Sequence, residues 1–496
     1  MDFDAILLAP RRAAMIERGL WYDRTINDAV DACLRDCPDK TALTAVQLAD
    51  GSVRTFSYRE LAAMADRIAI GLLRLGVGQG DVVSVQLPNV WQFTATYLAC
   101  SRIGAVLNPL MTIFRERELS FMLRHGSARL MIVPKSYRGH DFEQMMAALA
   151  PTLPDLRQVV VIGGAGANSF ERLLGEPAWE NEPDAPAKLR AHRPSPDDIT
   201  QLIYTSGTTG EPKGVMHSAN TLMANIVPYA ERLHLGPDDT IFMASPMAHQ
   251  TGFMYGLMMP IVLEATAVLQ DIWDPGPAAE NIRRYGATFT MASTPFLTDL
   301  TRVVQETGQP VPTLKTFLCA GAPIPGPLAQ QAREVLGTKI VSAWGMTENG
   351  AVTLIRPEDD DALATSTDGC PLPGVEVKVA DAVGNALPHG EVGRLLVRAS
   401  SNFGGYLKRP QWNATDAGGW FDTGDLARSV AGSYIRIAGR SKDVIIRGGE
   451  NIPVFEIESL LYKHPAVAQV AIVAYPDERL GERACAVVVV KTGQRF

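Results

Sequence analysis

FSYRELAAMADRIAIGLLRLG, Phe56 to Gly76, followed after four residues by DVVSVQL, Asp81 to Leu87, is the stretch whose reading decides the fold. Ser57 and Glu60 stand in capping-box spacing, so a helix starts there. Leu61, Met64, Ile68, Leu72 and Leu75 then fall on one helical face, and the apolar run after it reads as a buried strand. Outward from this pair the alternation continues: VWQFTATYLACSRIG as helix, AVLNPL as strand, ERELSFMLRHG as helix, ARLMIVP as strand. It resumes between Ile199 and Val341 with strands such as TIFMAS, ATFTMAS and KTFLCAG. Alternation of this kind predicts parallel sheets covered by helices. From Val375 to Ile437 short strands and Gly-rich turns predict a smaller β-rich unit. After GRSKD come a turn, a helix around VFEIESLLYKHP and the strands VAQVAIVAY and ACAVVVVK.

At 496 residues the chain exceeds one hydrophobic core, so two or more domains are expected. An apolar fraction of 46% with 20% charged residues describes a globular protein rather than a disordered one. The net charge of −8 argues against a nucleic-acid surface, which needs clustered basic residues, but not against a local cationic pocket. Six cysteines lie scattered without metal-like or disulfide-like spacing, which fits a reducing compartment. Cys33 and Cys37, one helical turn apart, read as core packing. MDFDAILLAPRRAAMIERG lacks the apolar region and cleavage site of a signal peptide. GFMYGLMMPIVLEATAVL, the most apolar stretch, is broken by Pro260 and Glu264 and so does not span a membrane. The expectation is a soluble cytoplasmic protein. QVVVIGGAGANS imitates a dinucleotide loop, but Ser169 stands where the third glycine belongs, and a surface turn is expected instead.

YTSGTTGEPKG, Tyr204 to Gly214, concentrates hydroxyls, glycines and one lysine between the strand Ile199–Tyr204 and the helix-like SANTLMANIVPYAERL. A Gly-rich turn there can aim backbone N–H groups at a phosphate chain. Thr205, Ser206, Thr208 and Thr209 add hydroxyl donors and Lys213 adds charge. It is not a Walker A loop, because Lys213 follows Pro212 and precedes Gly214.

That loop closely resembles the phosphate-binding signature of the adenylate-forming superfamily: acyl-CoA synthetases, firefly-type luciferases and peptide-synthetase adenylation domains. SAWGMTENG resembles the second signature, which implies Thr347 as a phosphate ligand and Glu348 as the magnesium ligand. FDTGDL resembles the ribose clamp, with Asp425 accepting from the ribose hydroxyls. IAGRSKDVIIRGGENIPVFEIE resembles the segment joining large and small domains, with Arg440 at the ribose and Lys442 as hinge. The implied fold is α/β: a large N-terminal domain of two helix-covered, mainly parallel sheets plus a small β-rich subdomain, then a smaller α+β C-terminal domain. The implied boundaries are 1–440 with the subdomain at about 360–437, a hinge at 441–443, and a partial C-terminal domain at 444–496. The implied nucleotide site comprises Thr205, Ser206, Gly207, Thr208, Thr209, Gly210, Lys213, Gly321, Ala322, Pro323, Ala343, Trp344, Gly345, Met346, Thr347, Asp425 and Arg440. Trp344 reads either as an aromatic stacked on the ligand or as a core residue. The implied catalytic set is Thr205, Lys213, His249, Thr347 and Glu348.

The residue types suit the chemistry. Moving AMP onto a carboxylate needs the triphosphate's charge screened by a metal and fixed donors, not a protein nucleophile. One carboxylate suffices for magnesium, which keeps waters and phosphate oxygens. SPMAHQTGF offers no acid to pair with an α-ammonium group, which disfavours an amino-acid substrate. Met247, His249, Gln250, Gly252, Phe253, Met254, Phe296, Gly345 and Met346 are the expected acyl pocket, with core packing the alternative for Met and Phe. Gly448, Gly449 and Glu450 are implied beside the pantetheine arm of coenzyme A. NPLMTIFRERELSFML, SPMAHQTGF and WGMTENGAVT look most like cyclohexanecarboxylate–CoA ligases and related short- and medium-chain synthetases. The family's small domain carries a further lysine near its end. Lys491 lacks that lysine's Gly-Lys context, so slow adenylate formation is expected of these 496 residues. ATP, Mg²⁺ and coenzyme A are the expected cofactors, a small carboxylic acid the substrate, and monomer or homodimer the state. Transfer to a carrier protein, or nucleotide binding without catalysis, are the alternatives.

Overall fold

The computed structural model describes residues 3–205, 211–321, 324–430, 433–440, 445–447, 450–452, 454–477, 481–491 and 493–494. The helix predicted from Ser57 runs Tyr58–Arg74, and the capping box forms: the Ser57 hydroxyl accepts from the Glu60 amide while Glu60 accepts from the Ser57 N–H. Leu61, Ile68 and Leu72 are buried on its inner face. The next helices are Trp91–Arg102 and Glu116–His125, and the strands Val82–Val85, Val106–Pro109 and Ala128–Pro134 follow in the order read.

Two large sheets result. A seven-stranded sheet runs Gly405–Tyr406, Lys213–Ser218, Ile199–Thr205, Val106–Pro109, Val82–Val85, Ala128–Pro134, Gln158–Ile162. Its last five strands are parallel, and the first two are antiparallel additions. A nine-stranded sheet runs Cys370–Pro371, Gly350–Leu354, Lys339–Met346, Thr316–Ala320, Phe289–Ala292, Thr240–Met243, Thr266–Gln270, Thr41–Val46, Val53–Ser57. Parallel pairing runs from Lys339–Met346 through Thr41–Val46. The helices Tyr58–Arg74, Trp91–Arg102 and Ala219–Arg232 share one continuous core with apolar residues of both sheets, such as Val83, Leu107, Ile241 and Val341. The chain therefore laces the sheets together: Thr41–Val46 joins the later sheet and Ile199–Thr205 the earlier one.

The β-rich subdomain is a four-stranded antiparallel sheet of Val375–Ala380, Val392–Ala399, Phe421–Ser429 and Ile435–Arg440. A second four-stranded sheet holds Glu450–Ile452, Ile445–Arg447, Gly481–Val490 and Val467–Asp477, with helix Val454–Leu461 beside it. Among the described residues no helix is long and apolar enough to cross a membrane. Cys33 is buried as expected, and Gly163 to Ala167 form a surface turn rather than a dinucleotide loop.

One expectation is corrected. The phosphate loop does not lead from a strand into a helix. Residues 213–218 form a strand antiparallel to Ile199–Thr205, with Lys213 opposite Thr205, and the helix starts only at Ala219 behind its cap Ser218. The segment between Thr205 and Lys213 therefore joins two antiparallel strands rather than a strand and a helix.

Candidate active site

The hairpin fixes two of the expected phosphate ligands. Thr205 and Lys213 face each other across its neck. The Lys213 ammonium lies 4.7 Å from the ring centre of Tyr406 and 5.7 Å from that of Trp412. Cation–π contact of this kind holds a charge without neutralising it. Ser206, Gly207, Thr208, Thr209 and Gly210 lie outside the described residues, as do Ala322, Pro323, Lys442, Gly448 and Gly449. Glu450 is placed by its backbone alone, in the short strand opposite Arg447.

Thr347 and Glu348 sit in the turn between the antiparallel strands Lys339–Met346 and Gly350–Leu354. A helix cap, the plain structural alternative for a Thr-Glu pair, is thereby excluded. The turn is locked from several sides. His217 Nε2 donates to the Thr347 carbonyl at 2.8 Å. The Phe403 amide donates to the Glu348 carbonyl at 2.8 Å, and Tyr406 Oη donates to Glu348 Oε1 at 2.6 Å. Asn225 Nδ2 reaches the carbonyl of Ala351 at 2.8 Å, and Tyr255 Oη donates to Asn225 Oδ1 at 2.6 Å. Gly350 has φ +71°, and a Cβ there would meet Asn225 at 2.8 Å, so this position admits only glycine.

Electrostatics follow from burial. Glu348 is 4% exposed, and desolvation raises its pKa against the opposing pull of Tyr406, Lys213 and Arg440. The phenol of Tyr406 is pushed up as well, by burial and by the carboxylate beside it. Burial takes His217 down to about 4, so its imidazole is neutral. Since a carbonyl only accepts, the single ring proton sits on Nε2 and Nδ1 faces Thr221 Oγ1 at 3.0 Å. Glu348 fits a divalent cation: a desolvated carboxylate with one oxygen oriented by Tyr406 gains most from a cation at the other.

The ribose side is built differently. Asp425 follows Gly424, whose φ of +74° turns the strand outward, and stands in register with Arg440. Arg440 Nε lies 3.4 Å from Asp425 Oδ1, and Trp344 Nε1 donates to Oδ2 at 2.9 Å. Trp344 resolves toward its core alternative: it packs with Val352, Leu395, Val397 and Ile435 while its N–H aims the carboxylate. Ala343 is buried, Gly345 is exposed, and Met346 is half-buried. A Cβ on Gly345 would run into the Gly350 carbonyl, so a bare backbone faces solvent there. Gly321, exposed with φ +84°, follows strand Thr316–Ala320, whose last residue pairs with Ala343 beside Trp344.

The residues expected at the acyl pocket divide by depth. Met247, Phe253 and Met254 are buried to 1% exposure or less within the core between the sheets. Phe253 packs edge-on to Tyr97, with ring centres 4.8 Å apart. Gln250 is also interior, paired with Gln201 Nε2 at 2.9 Å, and Gly252 lies against the backbone of Pro246. Of that stretch His249 is exposed, at the rim of a crowded recess whose desolvation lowers its pKa. Phe296 belongs to a separate cluster, tilted against Trp273 with ring centres 4.5 Å apart, where it lines a small apolar cavity with Phe242, Ala244 and Ala292. His217, Asn225, Tyr255 and Tyr406 were not anticipated. A histidine four residues past Lys213 on an alternating strand was a usable signal. Tyr406, 58 residues from Glu348, carried none.

Comparison with known proteins agrees with this geometry. The family described as AMP-binding enzyme matches residues 30–407, and its C-terminal domain matches 456–495. The medium-chain fatty-acid–CoA ligase of Escherichia coli (strain K12) is 35% identical over 97% of this chain and 84% of its own length. A salicylyl-CoA synthase / salicylate adenylyltransferase from a Streptomyces species is 33% identical over 97% of this chain and 87% of its own length. The crystal structure of ATP-bound MatB from Rhodopseudomonas palustris superposes with a TM-score of 0.80 at 26% identity, covering 95% of this chain and 90% of that one. With its hairpin and Thr-Glu turn joined through Tyr406 and its Asp-Arg clamp joined to the same strand through Trp344, this chain belongs to the AMP-binding enzyme family, the adenylate-forming superfamily.

Proposed function

We propose that the chain activates a small apolar carboxylic acid, alicyclic in the manner of cyclohexanecarboxylate, in the cytoplasm. The broader reaction is ATP-dependent ligation of a carboxylic acid to coenzyme A through an acyl-adenylate. In its first half a carboxylate oxygen attacks the α-phosphorus and pyrophosphate leaves. In its second the coenzyme A thiol attacks the acyl carbonyl and AMP leaves.

The observation that carries the site assignment is the buried Glu348, oriented by Tyr406 while the same ring holds the Lys213 ammonium. Lys213 and Thr205 take the outer phosphates, and Thr347 adds a hydroxyl. Glu348 would hold magnesium, which screens the triphosphate and the charge passing to pyrophosphate. Asp425, aimed by Trp344, accepts from the ribose hydroxyls once Arg440 turns to share them. His249 stands at the rim where the acid's carboxylate and the thiol would enter. Gly321, Gly345 and Met346 line the adenine and acyl side. We place the large domain at 1–440, the β-rich subdomain at about 360–437, the hinge at 441–443 around Lys442, and the start of the small domain at 444. Gly448, Gly449 and Glu450 are assigned to the pantetheine arm.

A panel of alicyclic, aromatic and linear carboxylates, incubated with ATP, Mg²⁺ and coenzyme A, tests both levels. The expected product is a CoA thioester by mass, formed fastest from an alicyclic acid. Faster turnover of aromatic or linear acids overturns the substrate. Acyl-AMP accumulating with no thioester in the presence of coenzyme A overturns the ligation.

A further inference from the structure

The stretch Ala399–Tyr406 sits between two parts of the molecule and is hydrogen-bonded to both. On the inner side the Phe403 amide holds the Glu348 carbonyl, Tyr406 Oη holds the Glu348 carboxylate at 2.6 Å, and Ser401 Oγ donates to the Asn349 carbonyl at 2.8 Å. On the outer side the N-terminal segment takes the carbonyls in sequence. Arg11 donates to Ala399 at 3.1 Å, to Asn402, and to Phe403 at 3.1 Å. Trp21 Nε1 donates to Ser400 at 2.8 Å, and the Leu7 amide to Gly404 at 3.2 Å. The strap crosses nearly 400 residues of sequence to reach a stretch that otherwise has no regular structure between Ala399 and Gly405.

Arg11 makes the arrangement unusual. It lies on the helix Ala9–Glu17 with its guanidinium over the Trp21 ring, 5.3 Å from the ring centre. Among the described residues it makes no ion pair, and its Nε, shielded from solvent, finds no acceptor. Burial lowers its pKa to about 9. A surface helix could be anchored by any apolar residue, and a half-buried arginine whose shielded Nε lacks an acceptor gives up part of its hydration. What the guanidinium offers in return is a planar fork that fixes several carbonyls in one geometry. The helix also precedes the family match, which opens at residue 30.

We propose that residues 7–21 form a positioning strap for the metal-binding carboxylate, with Arg11 as its positioning residue. By fixing the carbonyl edge of Ala399–Gly404, the strap sets the opposite edge from which Phe403 and Tyr406 hold Glu348. Arg11 touches neither substrate nor metal and acts only through that stretch. The inference rests on the reading of Glu348 as the Mg·ATP ligand.

The test is Mg·ATP binding by calorimetry, for the whole chain and for Arg11→Ala, across a magnesium titration. Wild-type failure to bind Mg·ATP overturns the proposed function and this inference with it. Given wild-type binding, Arg11→Ala is expected to keep its circular-dichroism spectrum and to bind Mg·ATP about tenfold more weakly, as losing charged hydrogen bonds implies. Added guanidinium ion at millimolar concentration should restore a large part of the loss, while sodium at equal ionic strength should not. Wild-type affinity in the variant, or a loss indifferent to guanidinium, overturns the strap. If Arg11→Ala does not fold, Trp21→Phe decides, since it keeps the ring but drops the bond to Ser400. Weakening of about threefold supports the proposal, and unchanged affinity overturns it.

Discussion

Glu348 and Asp425 are both carboxylates assigned to one nucleotide, and the fold treats them in opposite ways. Glu348 is interior, and its carboxylate is held by a phenol with an ammonium nearby, its backbone carbonyl by the Phe403 amide. Asp425 lies at the edge of the β-rich subdomain against Arg440, whose side chain is 61% exposed. The interior group is pre-set and poorly solvated, so its charge is costly until a cation arrives. Asp425 already has an exposed cation beside it, which a ligand can rearrange at small cost. Charge screening at the triphosphate, where the reaction develops charge, therefore has the rigid part, and ribose recognition has the adaptable one.

The sharpest way to break this contrast is Glu348→Gln, which keeps the shape and the Tyr406 contact but removes the charge. Pyrophosphate–ATP exchange should fall on the order of 10²–10³-fold. Stability should move the other way. A carboxyl whose folded pKa is raised binds its proton more tightly when folded, so stability is lost as pH rises through that pKa. At neutral pH without metal the variant should melt higher than the wild type, and the gap should close as pH falls below the usual Glu range. A variant that melts lower at pH 7 would contradict the strained-carboxylate account. Asp425→Asn should act mainly on affinity, raising the KM for ATP about tenfold with a smaller change in kcat. An equal fall in kcat would place Asp425 with the rigid group.

His217 tests whether the interior part depends on its frame. His217→Leu should weaken adenylation about tenfold, and His217→Gln, which restores an N–H near the ring Nε2, should recover most of it. Its burial also makes a stability claim. The folded pKa near 4 lies below the unfolded value, so the unfolded chain takes up protons first and stability is lost as pH falls from about 6.5 to 4. His125 is lowered to about 4 by burial and by Lys408 and Arg409, and contributes in the same window. Melting curves of His217→Gln should therefore lose less stability across that window than the wild type.

What the chain discloses on its own divides along the same line. Ser57, Glu60 and the spaced leucines after them announce a helix because capping and periodicity are local, and the strands around it follow from their apolar runs. The Thr-Glu turn and the Asp425 segment are legible because ligand-binding turns keep their residue types in short compass. The hairpin was not, since Gly214 to Ser218 is too short a run to declare a strand, and Ser218 serves as cap of the helix that was read. Nor was most of the frame around Glu348: Arg11, Phe403 and Tyr406 meet only through long-range pairing of strands and loops, which no periodicity encodes.

The acyl stretch shows the cost of reading side-chain type without depth. Met247 and Phe253 look like pocket wall because they are large and apolar, yet they occupy the core between the sheets, where the same chemistry serves packing. Met247→Leu, a volume-conserving change, should cost less than about 1.5 kcal/mol in stability and leave the order of preferred acids unaltered. His249→Ala, at the exposed rim instead of inside the core, should alter kcat/KM for the acid while leaving the melting temperature nearly in place. If Met247→Leu reorders the acids and His249→Ala does not, the depth seen here is not the depth at which the substrate binds, and the rim and the core exchange roles.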